Sequence, residues 1–233
     1  MAASQESGNT QTAALPTQVA GVVFPQTELV RIAYEHAHAH YPEWLMNHCL
    51  RSYVLARMLA EQDGHVLERP DLMLVGALLH DLPYVGDKFD RPDTPFLRAG
   101  GLYAKQFMQQ HGQNDADTKV VIEVIEEHIP RRDTTPERPE ARAFQRGIRV
   151  DVIGKSESDF DKIEEDDRAQ LIERFPRVKF EELLIMTIGD YADRHKGEQH
   201  IKETRWIQSV LIYRKTGEIQ GFVQNLFESP WRQ

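Results

Sequence analysis

Leu72-Met73-Leu74-Val75-Gly76-Ala77-Leu78-Leu79-His80-Asp81 is an unbroken apolar run that ends on an imidazole and a carboxylate side by side. Pro70, just ahead of it, suits the first turn of a helix, so the stretch predicts a buried helix from Pro70 to His80-Asp81, with Gly76 allowing a close helix contact. A polar pair at the end of such a helix costs on the order of several kcal/mol unless something neutralises it. A divalent metal is the economical neutraliser. His48 upstream and an aspartate downstream would complete a set of nitrogen and oxygen ligands suited to zinc, iron or manganese.

Working outward, the chain reads as helices. Leu29, Ile32, Ala33 and Ala37 line one face of a helix that Thr27 can cap and Pro42 breaks. A second helix is expected from about Leu45 to Gln62, where Leu50, Val54 and Met58 repeat at helical spacing and His48 falls in the first turn. Residues 82–96 hold Pro83, Gly86, Pro92 and Pro95, the mark of a long irregular loop leaving the proposed site. Further helices are expected at about 97–111, 116–128, 138–154, 166–175, 180–195 and 203–228, broken near Gly112, Pro130 and Pro176. Ser209 to Tyr213 carries the only strand-like pattern, in surroundings that favour helix. The expected class is therefore all-α.

Composition frames the function. At 233 residues and 40% hydrophobic, the chain suits one domain with a real core. Residues 1–20 are expected to be a disordered tail and 21–233 a single helical domain, with a core at about 25–195 and a C-terminal extension from about 196. A net charge of -9 argues against nucleic acid or an anionic membrane as partner, so an anionic ligand must be attracted locally. Cys49 is the only cysteine, and neither a signal peptide nor an apolar stretch of membrane-spanning length is evident. A cytoplasmic protein is expected.

Two aspartates compete for the fourth ligand position. Phe144, Ile148 and Asp151 share one helical stripe, as do Leu183, Met186 and Asp190. Periodicity leaves both open, each also readable as a structural carboxylate paired with Arg or Lys.

The segments Asn47-His48-Cys49-Leu50-Arg51-Ser52-Tyr53, Leu78-Leu79-His80-Asp81-Leu82, Glu127-His128 and Val150-Asp151-Val152-Ile153-Gly154, continued in Phe175-Pro176-Arg177-Val178-Lys179-Phe180, resemble the cyanamide hydratase-like branch of the HD-domain superfamily. That resemblance implies an all-helical bundle holding a metal between helices, with His48, His80, Asp81 and Asp151 as ligands. It also implies a pocket role for His128, which otherwise reads as a buried histidine following Val121, Val124 and Ile125. Other branches fit less well. Tyr84 stands where HD nucleotidases and guanosine polyphosphate hydrolases carry a glutamate, and no glycine-tyrosine-proline signature of cyclic-dinucleotide phosphodiesterases occurs. Phe96-Leu97-Arg98-Ala99-Gly100-Gly101 lacks the extra histidine of two-metal enzymes, which favours one metal. It also lacks the acidic residue that commonly follows the phenylalanine in its own branch, which speaks against cyanamide itself.

Other residues carry weaker signals. Arg51, one turn from His48, is a candidate catalytic residue beside His128, or one half of an ordinary ion pair. Arg131-Arg132 could clamp a phosphate. Of the triplet His36, His38 and His40, only His36 and His40 share a helical face, which disfavours a metal site there. His111 suits a helix C-terminus, and His65, His195 and His200 are expected at the surface. Cys49 reads as a small buried hydrophobe, and Glu164-Glu165-Asp166-Asp167 as a solvated helix start.

One divalent ion, with zinc the first choice and iron, manganese or nickel the alternatives, would leave positions open where bound water loses a proton near neutral pH. The leading expectation is a metal-dependent hydratase or hydrolase using that hydroxide on a small, cyanamide- or nitrile-like molecule. The alternatives are a phosphohydrolase for a small phosphate ester or nucleotide, and a non-catalytic metal-stabilised binding module. Loop 82–96 could act as a lid with Tyr84, Phe89 and Phe96 at the pocket. Trp206, Ile207, Val210, Leu211 and Phe222 could cover the bundle or build a homodimer.

Overall fold

The computed structural model describes residues 14–86, 88–91, 93–130, 134–154 and 158–231. Thr27 caps helix α1 (Glu28–His40), its hydroxyl accepting from the Val30 N–H. Pro42 separates it from α2 (Glu43–Gln62). α3 (Pro70–Leu79) takes Pro70 in its first turn and ends at His80. Leu82–Tyr84 form a single 3-10 turn, then follow α4 (Phe96–Gln110), α5 (Asp115–Glu126) and α6 (Pro139–Ile153). α7 (Glu165–Arg174) and α8 (Phe180–Arg194) precede the C-terminal α9 (Gln199–Glu203), α10 (Arg205–Thr216) and α11 (Gly221–Phe227). Among the described residues the fold is all-α apart from the two-residue strands β1 (Gln18–Val19) and β2 (Val22–Val23).

That hairpin departs from the expected tail. Residues 1–13 lie outside the described ones, but Val19 and Val22 are buried and join the main core with Phe24. The C-terminal stretch expected as one helix is broken at Gly217, whose φ of 74° is the left-handed conformation that closes a helix at little steric cost. Ser209 to Tyr213 is helical.

Two apolar clusters organise the bundle. The larger one joins α1 to α6, with α2 and α3 at its centre. α2 and α6 cross closely because Gly147 lacks a side chain: a Cβ there would meet the backbone at Ser52 O and Ala56 N. Gly76 does the same for α3 against α5, where a Cβ would come within 2.5 Å of Val124 Cγ1. The second cluster packs Ile207, Val210, Val223 and Leu226 of the C-terminal helices onto Phe180, Leu184 and Ile188 of α8, with Tyr84 and Phe96 between. The extension therefore covers the chain's own bundle. Among the described residues no helix is long and apolar enough to cross a membrane.

The described residues of the segment 82–96 are tied down at Pro83, Tyr84 and Asp90. Arg194 donates to the carbonyls of Pro83 and Tyr84, and Asp90 accepts from His195 Nε2 at 2.7 Å. His195 is buried, not at the surface as expected, because it carries this anchor. Phe89 faces away from the site and packs on His36, His40 and Tyr103. His36 and His40 are taken up by Tyr103 Oη and Lys88 Nζ, which accounts for this histidine pair without a metal.

Candidate metal centre

His48 on α2 and His80-Asp81 at the end of α3 meet in the interior, all three at most 3% exposed. Asp81 Oδ2 lies 3.2 Å from His80 Nε2 and 3.6 Å from His48 Nε2. Each of the three residues offers one donor atom within 4.8 Å of the others, a group that could hold a metal ion. His80 Nε2 is fully buried and makes no aligned hydrogen bond, a cost of about 1–3 kcal/mol for an unsatisfied polar atom. A cation between these atoms removes it. The residues present fit a divalent metal.

The other ring nitrogens explain how the site is held. His80 Nδ1 donates to Ala77 O at 2.8 Å, and His128 Nδ1 donates to Ile125 O at 2.6 Å. His48 Nδ1 donates to Asp151 Oδ2 at 2.6 Å. Each acceptor fixes the proton on Nδ1 and leaves Nε2 as a lone-pair donor, the arrangement that orients metal-ligating histidines. His128, buried at the end of α5, packs its ring against His80 at 4.9 Å. Burial, reinforced by His80, pushes its pKa down to about 3, so it is a neutral acceptor at physiological pH. Burial also lowers His48, against the opposing pull of Asp151. Burial alone would raise Asp81, but His80, His48 and His128 outweigh it and hold the carboxyl below its ordinary value.

Asp151 is brought to the site but not into the three-residue group. Its Oδ1 accepts from Arg51 Nε at 2.6 Å and Arg177 Nη1 at 3.1 Å; its Oδ2 accepts from His48 Nδ1 and from Arg51 Nη2 at 3.1 Å. A carboxylate has roughly four lone-pair directions, and these four bonds use them. Burial raises Asp151, yet the two guanidinium groups and His48 prevail, leaving it far below the usual carboxylate range. The rival Asp190 is mostly exposed, beside Arg214, and Met186 on the same stripe is 58% exposed.

Of the two readings held for Arg51, pocket residue or ion-pair partner, the structure places it in an ion pair with Asp151. It is fully buried under His48, donating to Asp151 and to the carbonyls of Phe175 and Pro176, and it is absent from the cavity wall. Arg177 was not singled out from the sequence as a functional residue, although it lies in the segment Phe175 to Phe180. It bridges Asp151 and Glu181, while Phe180 packs under both guanidinium groups and against His48. The pair Arg131-Arg132 lies outside the described residues. Cys49 is buried, and burial pushes its thiol well above the ordinary range.

A cavity of about 520 Å³ opens onto His48, Asp81 and His128. Its walls are mostly apolar, with Tyr84 and Phe96 stacked at 4.2 Å on one side.

An all-α bundle with a buried two-histidine, one-aspartate cluster at a helix end defines an HD-type metal site. Residues 45–195, from α2 to just past α8, match the HD domain family, and the chain belongs to it. No curated protein gives a significant match. The fold and cluster fit a metal-dependent hydrolase of this family in general.

Proposed function

We propose that the protein is a metal-dependent HD enzyme of the cyanamide hydratase-like kind, adding water across the carbon–nitrogen triple bond of a nitrile-like group carried by a small molecule. His48, His80 and Asp81 hold the ion in this reading, and His128 offers a further Nε2 donor beside them. Asp151, the fourth ligand by resemblance, acts one step back: its filled lone pairs fix the His48 proton on Nδ1 and turn Nε2 toward the site. A bound divalent ion, with zinc the first choice, supplies Lewis-acid polarisation and a water acidified toward neutral pH. Among the described residues Asp81 is the only carboxylate on the cavity wall, and its negative charge balances part of the ion's charge. Tyr84 and Phe96 exclude bulk water.

The observation that carries the choice of electrophile is a mostly apolar cavity wall from which Arg51 is absent. Its charge is spent on Asp151, so it offers no clamp to a transferring phosphoryl group at the metal end. The test compares zinc-reconstituted protein with Asp81→Ala on cyanamide, benzonitrile and 4-nitrophenyl phosphate. Urea or amide formation above the variant blank is expected. Phosphate release with no nitrile turnover would replace this reading with the phosphohydrolase one.

A further inference from the structure

The matched family segment ends at residue 195, yet the cavity does not. Arg205, Trp206 and Ser209 of α10 and Gly221, Phe222 and Asn225 of α11 complete its wall. The catalytic floor thus comes from the HD segment, and much of the surface that a substrate body would touch comes from outside it. About 520 Å³ is the size of site that takes a drug-sized ligand, roughly 300–1,000 Å³. Cyanamide, with a few non-hydrogen atoms, would leave most of it unfilled.

The polar groups of this added wall are few. The Ser209 hydroxyl is engaged, donating to Gln220 O and accepting from Val223 N–H. Among the described residues, the side chains of Arg205 and Asn225 make no hydrogen bond or ion pair. Arg205 is exposed, whereas Asp81 is 3% exposed, and both line the cavity. Arg149, half-buried, is the second guanidinium on the wall. On a chain of net charge -9, the exposed Arg205 guanidinium is the local positive charge an anion needs to approach.

We infer that the substrate is an organic acid: an apolar aromatic or aliphatic body filling the cavity against Trp206 and Phe222, its reacting group at the metal floor and one carboxylate at Arg205. The inference rests on reading the cavity as the substrate site. A nucleotide, with several phosphate charges and a polar sugar, fits this wall poorly.

Titration calorimetry on the full-length, zinc-loaded protein separates binding from turnover. Two pairs of probes serve: 4-cyanobenzoate against benzonitrile, and 7-cyanoheptanoate against octanenitrile. In at least one pair the carboxylate should bind tenfold tighter or better. Arg205→Gln should remove that advantage while leaving the neutral nitrile within about twofold, and Phe222→Ala should weaken both members. No carboxylate advantage in either pair, or an equal loss for both members in Arg205→Gln, overturns the inference. Nitrile consumption is followed separately. The binding pattern without product would defeat only the proposed reaction, and product without a carboxylate advantage would defeat only the substrate class.

Discussion

Replacing Asp151 by Asn tests the buried clamp directly. The change keeps the shape and removes the charge, leaving Arg51, fully buried, with carbonyl partners and no directly hydrogen-bonded anion. Arg177 retains Glu181 at 2.6 Å and is partly protected. Breaking a buried pair on one side costs about 3–5 kcal/mol, against a whole-domain stability of roughly 5–15 kcal/mol. Urea denaturation of metal-free Asp151→Asn should therefore show a loss in that range. A cycle with Arg51→Met isolates the pair: the double variant removes both charges and should cost at least about 2 kcal/mol less than the sum of the single variants. Zinc affinity, measured by competition with a chelator, should fall about 10–100-fold, the size of effect from losing an orienting partner of a ligand. A loss below about 1 kcal/mol in metal-free protein, or strict additivity in the cycle, would refute the clamp. Complete loss of zinc binding with an otherwise stable fold would make Asp151 a ligand in its own right.

Gly147→Ala should destabilise the protein by about 1–3 kcal/mol or more, because the new Cβ meets backbone and not a side chain that can turn away; thermal unfolding reads this, and an unchanged Tm would remove the close α2–α6 crossing from the account. Saturating zinc should raise stability by about 4 kcal/mol at a thousandfold excess over Kd, and His80→Ala should abolish the shift; an equal shift in both proteins places the ion elsewhere. Burial, with His40 and Lys88 adding to it, pushes the His36 pKa down to about 4. The unfolded chain therefore takes up a proton that the folded one refuses, so this contribution is complete above about pH 6.5 and is lost as pH falls toward 4, by about 1–2 kcal/mol after discounting for partial exposure. His36→Gln should flatten that part of the acid limb in a denaturation series; an unaltered slope would assign the acid loss to other groups.

How far the sequence reached is clearest at particular residues. Thr27, Pro42, Pro70 and Gly76 act locally, through a hydroxyl, a ring or a missing Cβ, and each does in the fold what its residue type requires. The break at Gly217 and the hairpin at Val19 escaped the periodic reading, since a two-residue strand or a single left-handed residue leaves no period to detect. His80-Asp81 at the end of an apolar helix was legible because burial of the run forces burial of its last residues. The stripes of Asp151 and Asp190 were equivalent on paper, as periodicity finds an apolar face without saying what covers it. Packing α6 against α2 buried one, and the other stayed on the solvent face.

The sequence by itself determined the helical class and the burial of His80-Asp81, because these follow from residue type and near-neighbour spacing. Tertiary structure alone decided that Arg51 faces Asp151 and not the cavity, that His128 presents Nε2, and that the C-terminal helices wall the site. Those outcomes depend on partners far apart in the chain, such as His48 and Asp151, 103 residues apart. A buried lone pair or charge goes to whichever partner the packed helices bring within reach, and no local pattern records that choice.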